Sequence, residues 1–147
     1  KIQFKLVIVG DGILKKHLKS LSETLGISND IKFIGAVDNS KIPYLLSESN
    51  LYVSMPVTEG VSSSLFEAMA AGCYPVVSDL RANRSWIRNR ENGSLVKIDD
   101  IESLVNEILF FYKNFNIVHE AVITNRKLVE QKVSYETNMK MNRMASS

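Results

Sequence analysis

The sequence has too little of several features to fit whole classes of proteins. It contains a single cysteine, Cys73, so an internal disulfide is impossible and nothing indicates an oxidising compartment. Its 18 basic and 16 acidic residues leave a net charge of +2, without the large single-sign field that nucleic-acid binding requires. No apolar run approaches the length that spans a bilayer, and no signal-peptide pattern precedes the first strand. We therefore expect a soluble, cytoplasmic protein without a nucleic-acid partner.

The length and composition indicate one globular domain over residues 1–147. Hydrophobic residues make up 45% of the chain and charged residues 23%, and there are only seven glycines and three prolines. This balance is typical of a chain that folds around a core rather than of a disordered or fibrous one. Cys73 lies inside an apolar run, so we expect it to be buried.

Short β-rich apolar runs alternate with helical spacings along most of the chain. The predicted strands end at glycines or turn residues, and they cover residues 4–9, 31–34, 51–54, 74–78 and 94–98. The predicted helices cover residues 14–25, 42–47, 62–71, 101–112 and about 116–131. The last two helices follow the final strand, and the tail from Tyr135 has few apolar residues to bury.

The alternation predicts an α/β fold, because strands separated by helices form a mostly parallel sheet with helices on both faces. We expect a doubly wound, Rossmann-like arrangement with extra helices at the C-terminus. In such folds ligands bind beyond the carboxyl ends of the strands. The loops after the strands carry Gly10, Asp11 and Gly12, then residues 54–60, residues 78–84 and the Asp99–Asp100 pair.

The loop from Ser54 is the most suggestive, because a helix begins directly after it. Free backbone amides at a helix N-terminus attract phosphate or an electron-rich hydroxyl. Glu59 lies in this loop and Glu67 lies in the helix, with seven residues between them. A carboxylate can accept hydrogen bonds from two neighbouring hydroxyls at once, which is chemistry that a sugar nucleotide offers. Among the three serines that open the helix, we expect Ser63 and Ser64 to act as capping residues.

A basic cluster follows the fourth predicted strand, and its members are Arg81, Arg84, Arg88 and Arg90. These side chains either contact a phosphate or coat the surface, and Arg84 is the stronger phosphate candidate because it lies nearer the strand. Trp86 is expected to pack against the protein rather than to stack on a base. A nicotinamide cofactor is disfavoured, because Lys15 stands where a dinucleotide fingerprint would have its third glycine.

The segment from Glu59 to Ser78 resembles the paired-glutamate signature of retaining glycosyltransferases of family 4, also described as glycosyl transferases group 1, and the strand that follows it. Three further segments fit the same family in the same order, at residues 7–12, 33–35 and 91–96. The resemblance covers about residues 5–135 and is to the carboxyl-terminal, donor-binding half of the two-domain GT-B fold. It implies an enzyme of the hexosyltransferase type that uses a nucleoside-diphosphate sugar based on uridine or guanosine.

The resemblance also implies roles for individual residues. Glu67 would bind the ribose hydroxyls of the donor, and Glu59 would contact the sugar near the reacting carbon. The amides of Gly60, Val61 and Ser62 would hold sugar hydroxyls. Two further sets would approach the nucleotide from other loops, Gly10 and Gly12 at the cleft, and Gly35 and Val37 beside the base. No metal and no cofactor is expected, because in this family basic side chains and a helix dipole stabilise the leaving diphosphate.

Two departures from the family limit what this chain is expected to do. The family's acceptor-binding N-terminal domain would lie upstream of residue 1, together with the first strand and helix of the donor domain and its basic pair. In place of the common Gly-Gly, the chain has residues 80–87, which leaves the identity of the sugar open. We expect the chain to be inactive alone and its parent to act on a glycan or lipid-linked acceptor, with peripheral attachment to the inner membrane face left open. A two-chain enzyme, a non-catalytic nucleotide-binding module and a pseudo-enzyme remain alternatives.

Overall fold

The computed structural model describes residues 2–58, 60 and 62–146. The chain divides into two compact units, Lys1–Ile42 and Pro43–Ser147. The strands are β1 (Leu6–Val9), β2 (Ile31–Gly35), β3 (Leu51–Ser54), β4 (Tyr74–Ser78) and β5 (Ser94–Val96). The helices are α1 (Lys15–Thr24), α2 (Ile42–Ser47), α3 (Ser63–Ala71), α4 (Arg81–Arg84), α5 (Ile101–Lys113) and α6 (Phe115–Ala145).

In the first unit, β1 pairs with β2 in parallel, from Leu6 opposite Ile31 to Val9 opposite Gly35. The chain leaves β1 through a glycine turn, forms α1, and enters β2 after a short 3₁₀ turn at Ser28–Asp30. The apolar run therefore predicts this strand correctly, but its side chains are not buried in the way that the run suggests. Leu6, Val7 and Val9 are 41–44% exposed, because burial depends on what packs against a strand and not on its own sequence.

In the second unit, the sheet has the order β3-β4-β5 and both pairings are parallel. All five residues of the central strand β4 are buried. Its alternating side chains face two clusters: Val77 packs with Leu65 and Met69 of α3, whereas Tyr74 and Val76 pack on the side of α5. Helices thus cover both faces of this sheet, as expected for an α/β fold.

Helix α6 contributes to both clusters, with Leu128 and Val129 on the α3 side and Val118 and Ala121 on the α5 side.

Cys73 is buried and has a free thiol, as the apolar run predicts. Burial raises the pKa of this thiol, which disfavours a nucleophilic thiolate. Trp86 packs edge-on against Phe66 with ring centroids 4.9 Å apart, which confirms the expectation that it packs against the protein.

The turn between α3 and β4 depends on Gly72. Its φ of 94° lies in the left-handed region, where a side chain is unfavourable. The amide of Cys73 then donates to the carbonyl of Ala68 over 2.9 Å, which closes the end of the helix. As a result β4 begins only two residues after Gly72. Its last residue, Ser78, lies at the end of the sheet where the loop after β3 also begins.

Four elements differ from the predictions by more than one residue. Strand β1 begins at Leu6 instead of at residue 4. Helix α6 continues to Ala145 instead of ending near residue 131, because residues 115–145 contain neither glycine nor proline. Helix α4 is a single turn that no periodic pattern could reveal, and Asn83 holds it by donating to the carbonyl of Ser78. Strand β5 ends at Val96, two residues early. Within the described part of the chain, no helix is both long and apolar enough to cross a membrane.

Candidate functional site

The carboxyl ends of the three strands in the second unit lie along one edge of the sheet. Ser54 is opposite Val77, and Ser78 is opposite Val96, so all three strands end within about one residue of each other. The loop between β3 and α3 (residues 55–62) starts at this edge. The segment after β4 and the turn before α5 also start here, which makes this edge the position where an α/β sheet binds ligands.

Ser62 caps the N-terminus of α3. Its side-chain oxygen accepts a hydrogen bond from the amide of Ser64 over 3.3 Å, and its backbone is extended as expected of an N-cap. The expectation that Ser63 and Ser64 cap the helix is therefore wrong, because the cap must precede the first helical residue. Gly60 is exposed, and a side chain built there would meet nothing within 4 Å. The end of this loop is consequently open to a ligand.

Hydroxyl groups from the sheet hold both ends of this loop. At its start, the buried Ser78 donates a hydrogen bond to the carbonyl of Pro56 over 2.7 Å. At its end, the Tyr52 hydroxyl lies 2.7 Å from Ser64 Oγ, which lies 2.6 Å from Ser62 Oγ. The sequence pattern did not reveal these contacts, because Tyr52 and Ser78 read simply as strand residues. Their only sequence signal is a hydroxyl in an otherwise apolar run.

The paired glutamates are only partly described. Glu67 is exposed on α3, and within the described residues no hydrogen bond or ion pair to its carboxylate is found. Glu59 and Val61 lie outside the described residues. The Glu67 carboxylate, one helical turn from the start of α3, thus has no hydrogen-bond partner among the described residues.

The basic cluster separates into different environments. Arg84 makes a bidentate ion pair with Asp79, with N···O distances of 2.6 and 2.9 Å. The hydrogen bonds from Arg84 lower the pKa of Asp79, although partial burial acts in the opposite direction. Arg90 instead reaches the buried Glu107 over 2.8 Å and lies above the Phe110 ring. Arg90 therefore has a structural role, whereas Arg84 lies at the strand edge with an exposed guanidinium.

In the first unit, the predicted glycines shape the turn after β1. The amide of Gly10 donates to the carbonyl of Gly35 over 2.7 Å, and both glycines have positive φ, 114° and 74°. Other residues would be strained at both positions. Gly12 has open space around its Cα, and Val37 is half-buried just after β2. Gly35 thus ends β2, and the other three residues follow the carboxyl ends of β1 and β2.

A charged pair accompanies this turn. Asp11 accepts a hydrogen bond from the amide of Gly12 and lies 3.3 Å from the ammonium of Lys15. The bond from Gly12, followed by the contact with Lys15, lowers the pKa of Asp11. A side chain on Gly35 would lie 3.4 Å from this ammonium. The position that departs from a dinucleotide fingerprint therefore supplies a cation beside the turn.

Potential metal ligands do not cluster. Within residues 2–58, 60 and 62–146, no group of three or more histidine, cysteine, aspartate or glutamate side chains is placed to hold a metal ion. In the second unit, the amides before α3, the Glu67 carboxylate and the Arg84 cation offer hydrogen bonding and charge. In the first unit, the Lys15 cation does so beside its own turn. These are groups that hold hydroxyls and phosphates.

Comparison with known proteins decides the family. The sequence profile described as glycosyl transferases group 1 matches residues 1–128. The chain belongs to the glycosyl transferases group 1 family. Among the curated glycosyltransferases that it resembles, the UDP-Gal:alpha-D-GlcNAc-diphosphoundecaprenol alpha-1,3-galactosyltransferase of Escherichia coli is 30% identical over 104 residues, which is 70% of this chain and 26% of that enzyme. The chain spans 26–28% of the length of three such relatives.

Solved structures confirm the glycosyltransferase fold. Anabaena HepE, solved in complex with UDP and glucose, superposes with a TM-score of 0.83 at 19% identity, over 100% of this chain and 42% of that one. The C-terminal domain of a group 1 glycosyltransferase, LpcC of Francisella tularensis, gives a TM-score of 0.74 at 24% identity, over 82% of this chain and 62% of that one. The chain thus has the Rossmann-like fold of one half of a GT-B glycosyltransferase.

Proposed function

We propose that this glycosyltransferase chain is the donor-binding domain, which holds a nucleoside-diphosphate sugar of the UDP or GDP type. The observation that carries the proposal is Glu67, an exposed helical carboxylate without a partner among the described residues, one turn from a capped helix N-terminus. Such a carboxylate suits the two ribose hydroxyls, and the helix N-terminus suits the diphosphate. Glu59 and the amides of Gly60, Val61 and Ser62 are assigned to the sugar.

Two further loops are assigned to the nucleotide. The turn with Gly10 and Gly12 lets a ligand approach the backbone closely, and Gly35 and Val37 are assigned to the base. Arg84 is assigned to a phosphate, which requires its guanidinium to exchange Asp79 for the ligand or to bridge both. An exposed ion pair of this kind is weak, so the exchange costs little.

The parent enzyme is proposed to transfer the sugar to a glycan or lipid-linked acceptor with retention of anomeric configuration, as a family 4 enzyme. Support for a lipid-linked acceptor comes from the Escherichia coli relative, whose name specifies a diphosphoundecaprenol substrate. Support for a UDP-type donor comes from Anabaena HepE, which was solved with UDP and glucose. The acceptor would be held by a separate N-terminal domain, and transfer would need neither metal nor cofactor. We expect the enzyme to be cytoplasmic, with peripheral attachment to the inner face of the membrane left open.

Calorimetric titration of the 147-residue chain with UDP, GDP, UDP-glucose and GDP-mannose tests the proposal. We expect binding of one nucleotide type, weakened about tenfold or more in Glu67→Ala, because hydrogen bonds to a charged group contribute strongly to affinity. Glu120→Ala is the matched control, since Glu120 is also an exposed helical glutamate. Failure of the unaltered chain to bind any of the four ligands would contradict the proposal, as would equal affinities of Glu67→Ala and Glu120→Ala.

A further inference from the structure

A chain of three hydroxyl groups connects the sheet to the start of α3. The Tyr52 hydroxyl, on β3, lies 2.7 Å from Ser64 Oγ, and Ser64 Oγ lies 2.6 Å from Ser62 Oγ. The same Ser62 oxygen also accepts the amide hydrogen of Ser64. All three residues are half-buried, so these hydrogen bonds are partly shielded from competing water.

Of these three hydroxyl groups, that of Tyr52 is held rigidly. Its ring packs against the buried cluster that contains Leu65, Met69 and Val77, and its backbone pairs with Pro75 in the parallel sheet. A tyrosine has only two side-chain torsions, so packing of the ring fixes the hydroxyl closely. The position of the hydroxyl is therefore transmitted through Ser64 to the oxygen that caps the helix.

The Ser62 hydroxyl, at the other end of the three, borders the groups assigned to the donor sugar and diphosphate. Ser62 is both the cap of α3 and the last residue of the loop that contains Gly60. An unsupported cap could rotate between staggered positions and leave the first amides of the helix without a fixed direction. The hydrogen bond between Ser64 Oγ and Ser62 Oγ selects one of those positions, and the bond between Tyr52 and Ser64 fixes the position of Ser64 Oγ.

We propose that Tyr52 is a positioning residue for donor binding, which acts through Ser64 and Ser62 to fix the backbone just before α3, where the amides assigned to the donor lie. The inference rests on the proposed function of those amides and adds a residue that does not touch the ligand. It requires that loss of the Tyr52 hydroxyl weaken binding of the diphosphate and sugar parts of the donor. Binding of the ribose, which is assigned to Glu67, should not change. It also requires that the effect pass through Ser64.

Tyr52→Phe removes only the hydroxyl and keeps the packed ring. We expect it to weaken UDP-glucose or GDP-mannose binding, whichever the unaltered chain prefers, about threefold to tenfold, the typical range for one hydrogen bond. Binding of the matching nucleoside monophosphate should be unchanged. Ser64→Ala should have an effect of similar size on the sugar nucleotide, and the double variant should be no weaker than Ser64→Ala alone, because one chain of bonds is broken only once.

Tyr74→Phe is the matched control, since Tyr74 is also a strand tyrosine whose hydroxyl bonds a serine, Ser94, on the other face of the sheet. It should leave both affinities unchanged. A readout without ligand is amide hydrogen exchange at residues 60–64, which should be faster in Tyr52→Phe than in Tyr74→Phe. The inference is overturned if the Tyr52→Phe chain binds the sugar nucleotide with normal affinity. It is also overturned if the substitution weakens binding of the nucleoside monophosphate by the same factor. Absence of any binding by the unaltered chain would instead remove the proposed function, and the inference with it.

Discussion

Polar side chains have opposite surroundings in two regions of the second unit. Beside β5, Glu107 is only 7% exposed and accepts hydrogen bonds from Arg90 and Ser94, and the buried pair Asn92 and Asn125 exchange bonds with each other. At the carboxyl edge of the strands, Glu67 is exposed and Gly60 borders open space. The first region satisfies its polar groups within the chain, whereas in the second the Glu67 carboxylate has no partner among the described residues.

This difference separates structural from ligand-binding roles better than residue type does. Among the described residues, no buried side-chain nitrogen or oxygen lacks a hydrogen-bond partner. Buried polar groups must be satisfied in this way, because an unpaired one destabilises the fold. A carboxylate at the strand edge is under no such requirement, so its partner can come from outside. Changes beside β5 should therefore alter stability, and changes at the strand edge should alter binding.

The largest effect on stability is expected for Asn125→Ala. Asn125 is fully buried on α6, and its loss removes both bonds to Asn92 and leaves a cavity. We expect the free energy of unfolding to fall by about 3 kcal/mol, or Tm to fall by about 8 °C. Thermal unfolding followed by the fluorescence of Trp86 measures this. The exposed neighbour Thr124 provides the control Thr124→Ala, and equal Tm values for the two variants would contradict the structural role.

The next effect is expected for Glu107→Gln, which keeps the shape of the side chain and removes its charge. A glutamine offers one acceptor oxygen where the carboxylate offers two, so Arg90 and Ser94 can no longer donate to separate oxygens of this side chain, and the ion pair with Arg90 is lost. We expect Tm to fall by about 5 °C while nucleotide affinity stays the same. Glu102→Gln, on the exposed face of the same helix, should lower Tm by much less. Weaker nucleotide binding by the folded Glu107→Gln chain would show that the two regions are not separate.

A smaller, pH-dependent effect is expected for Arg84→Gln. The hydrogen bonds from Arg84 hold the pKa of Asp79 below its ordinary value, so the pair stabilises the fold at pH values where the unfolded carboxyl is ionised. This contribution is lost as the pH falls through the lowered pKa. Because the pair is exposed, Arg84→Gln should lower Tm by only about 2 °C above about pH 5, and the difference should vanish once the pH lies below the lowered pKa of Asp79. A difference that grew in acid would refute this account.

The smallest effect on stability is expected for Glu67→Gln. Its carboxylate has no partner among the described residues, so its removal breaks no bond that those residues make. We expect Tm to change by less than about 2 °C, the usual result for an exposed position. Tm values measured by thermal unfolding of Glu67→Gln and Glu107→Gln under the same conditions compare two helical glutamates directly. A large fall in the Tm of Glu67→Gln would show that Glu67 stabilises the fold, which contradicts its proposed role in binding.

The order of the elements could be predicted from the sequence because its signals are local. Apolar runs ended by Gly10 and Gly35 marked the ends of the first two strands, and each signal lies within a few residues. The parallel pairing followed from the alternation of strands and helices. The family resemblance was carried by residues 59–78 and by three further segments in the same order, and the glycosyl transferases group 1 family is confirmed by the match over residues 1–128.

The contacts that hold the strand edge and the buried polar groups could not be predicted, because they join distant residues. Tyr52 meets Ser64 across 12 positions, Arg90 meets Glu107 across 17, and Asn92 meets Asn125 across 33. No periodic pattern records such pairs. The same limit explains why the apolar run of β1 predicted a strand but not its exposure, and why a capping role was expected of Ser63 and Ser64 rather than of Ser62.

The central claim is that Glu67 binds the ribose of a nucleotide, and a titration that varies both partners tests it directly. The unaltered chain and Glu67→Gln are each titrated with a nucleoside diphosphate and with its 2′-deoxy form. We expect the unaltered chain to prefer the ribonucleotide about tenfold and Glu67→Gln to lose most of that preference, because only a carboxylate can bind both hydroxyls strongly. Equal preference for the ribonucleotide in both chains would contradict the claim.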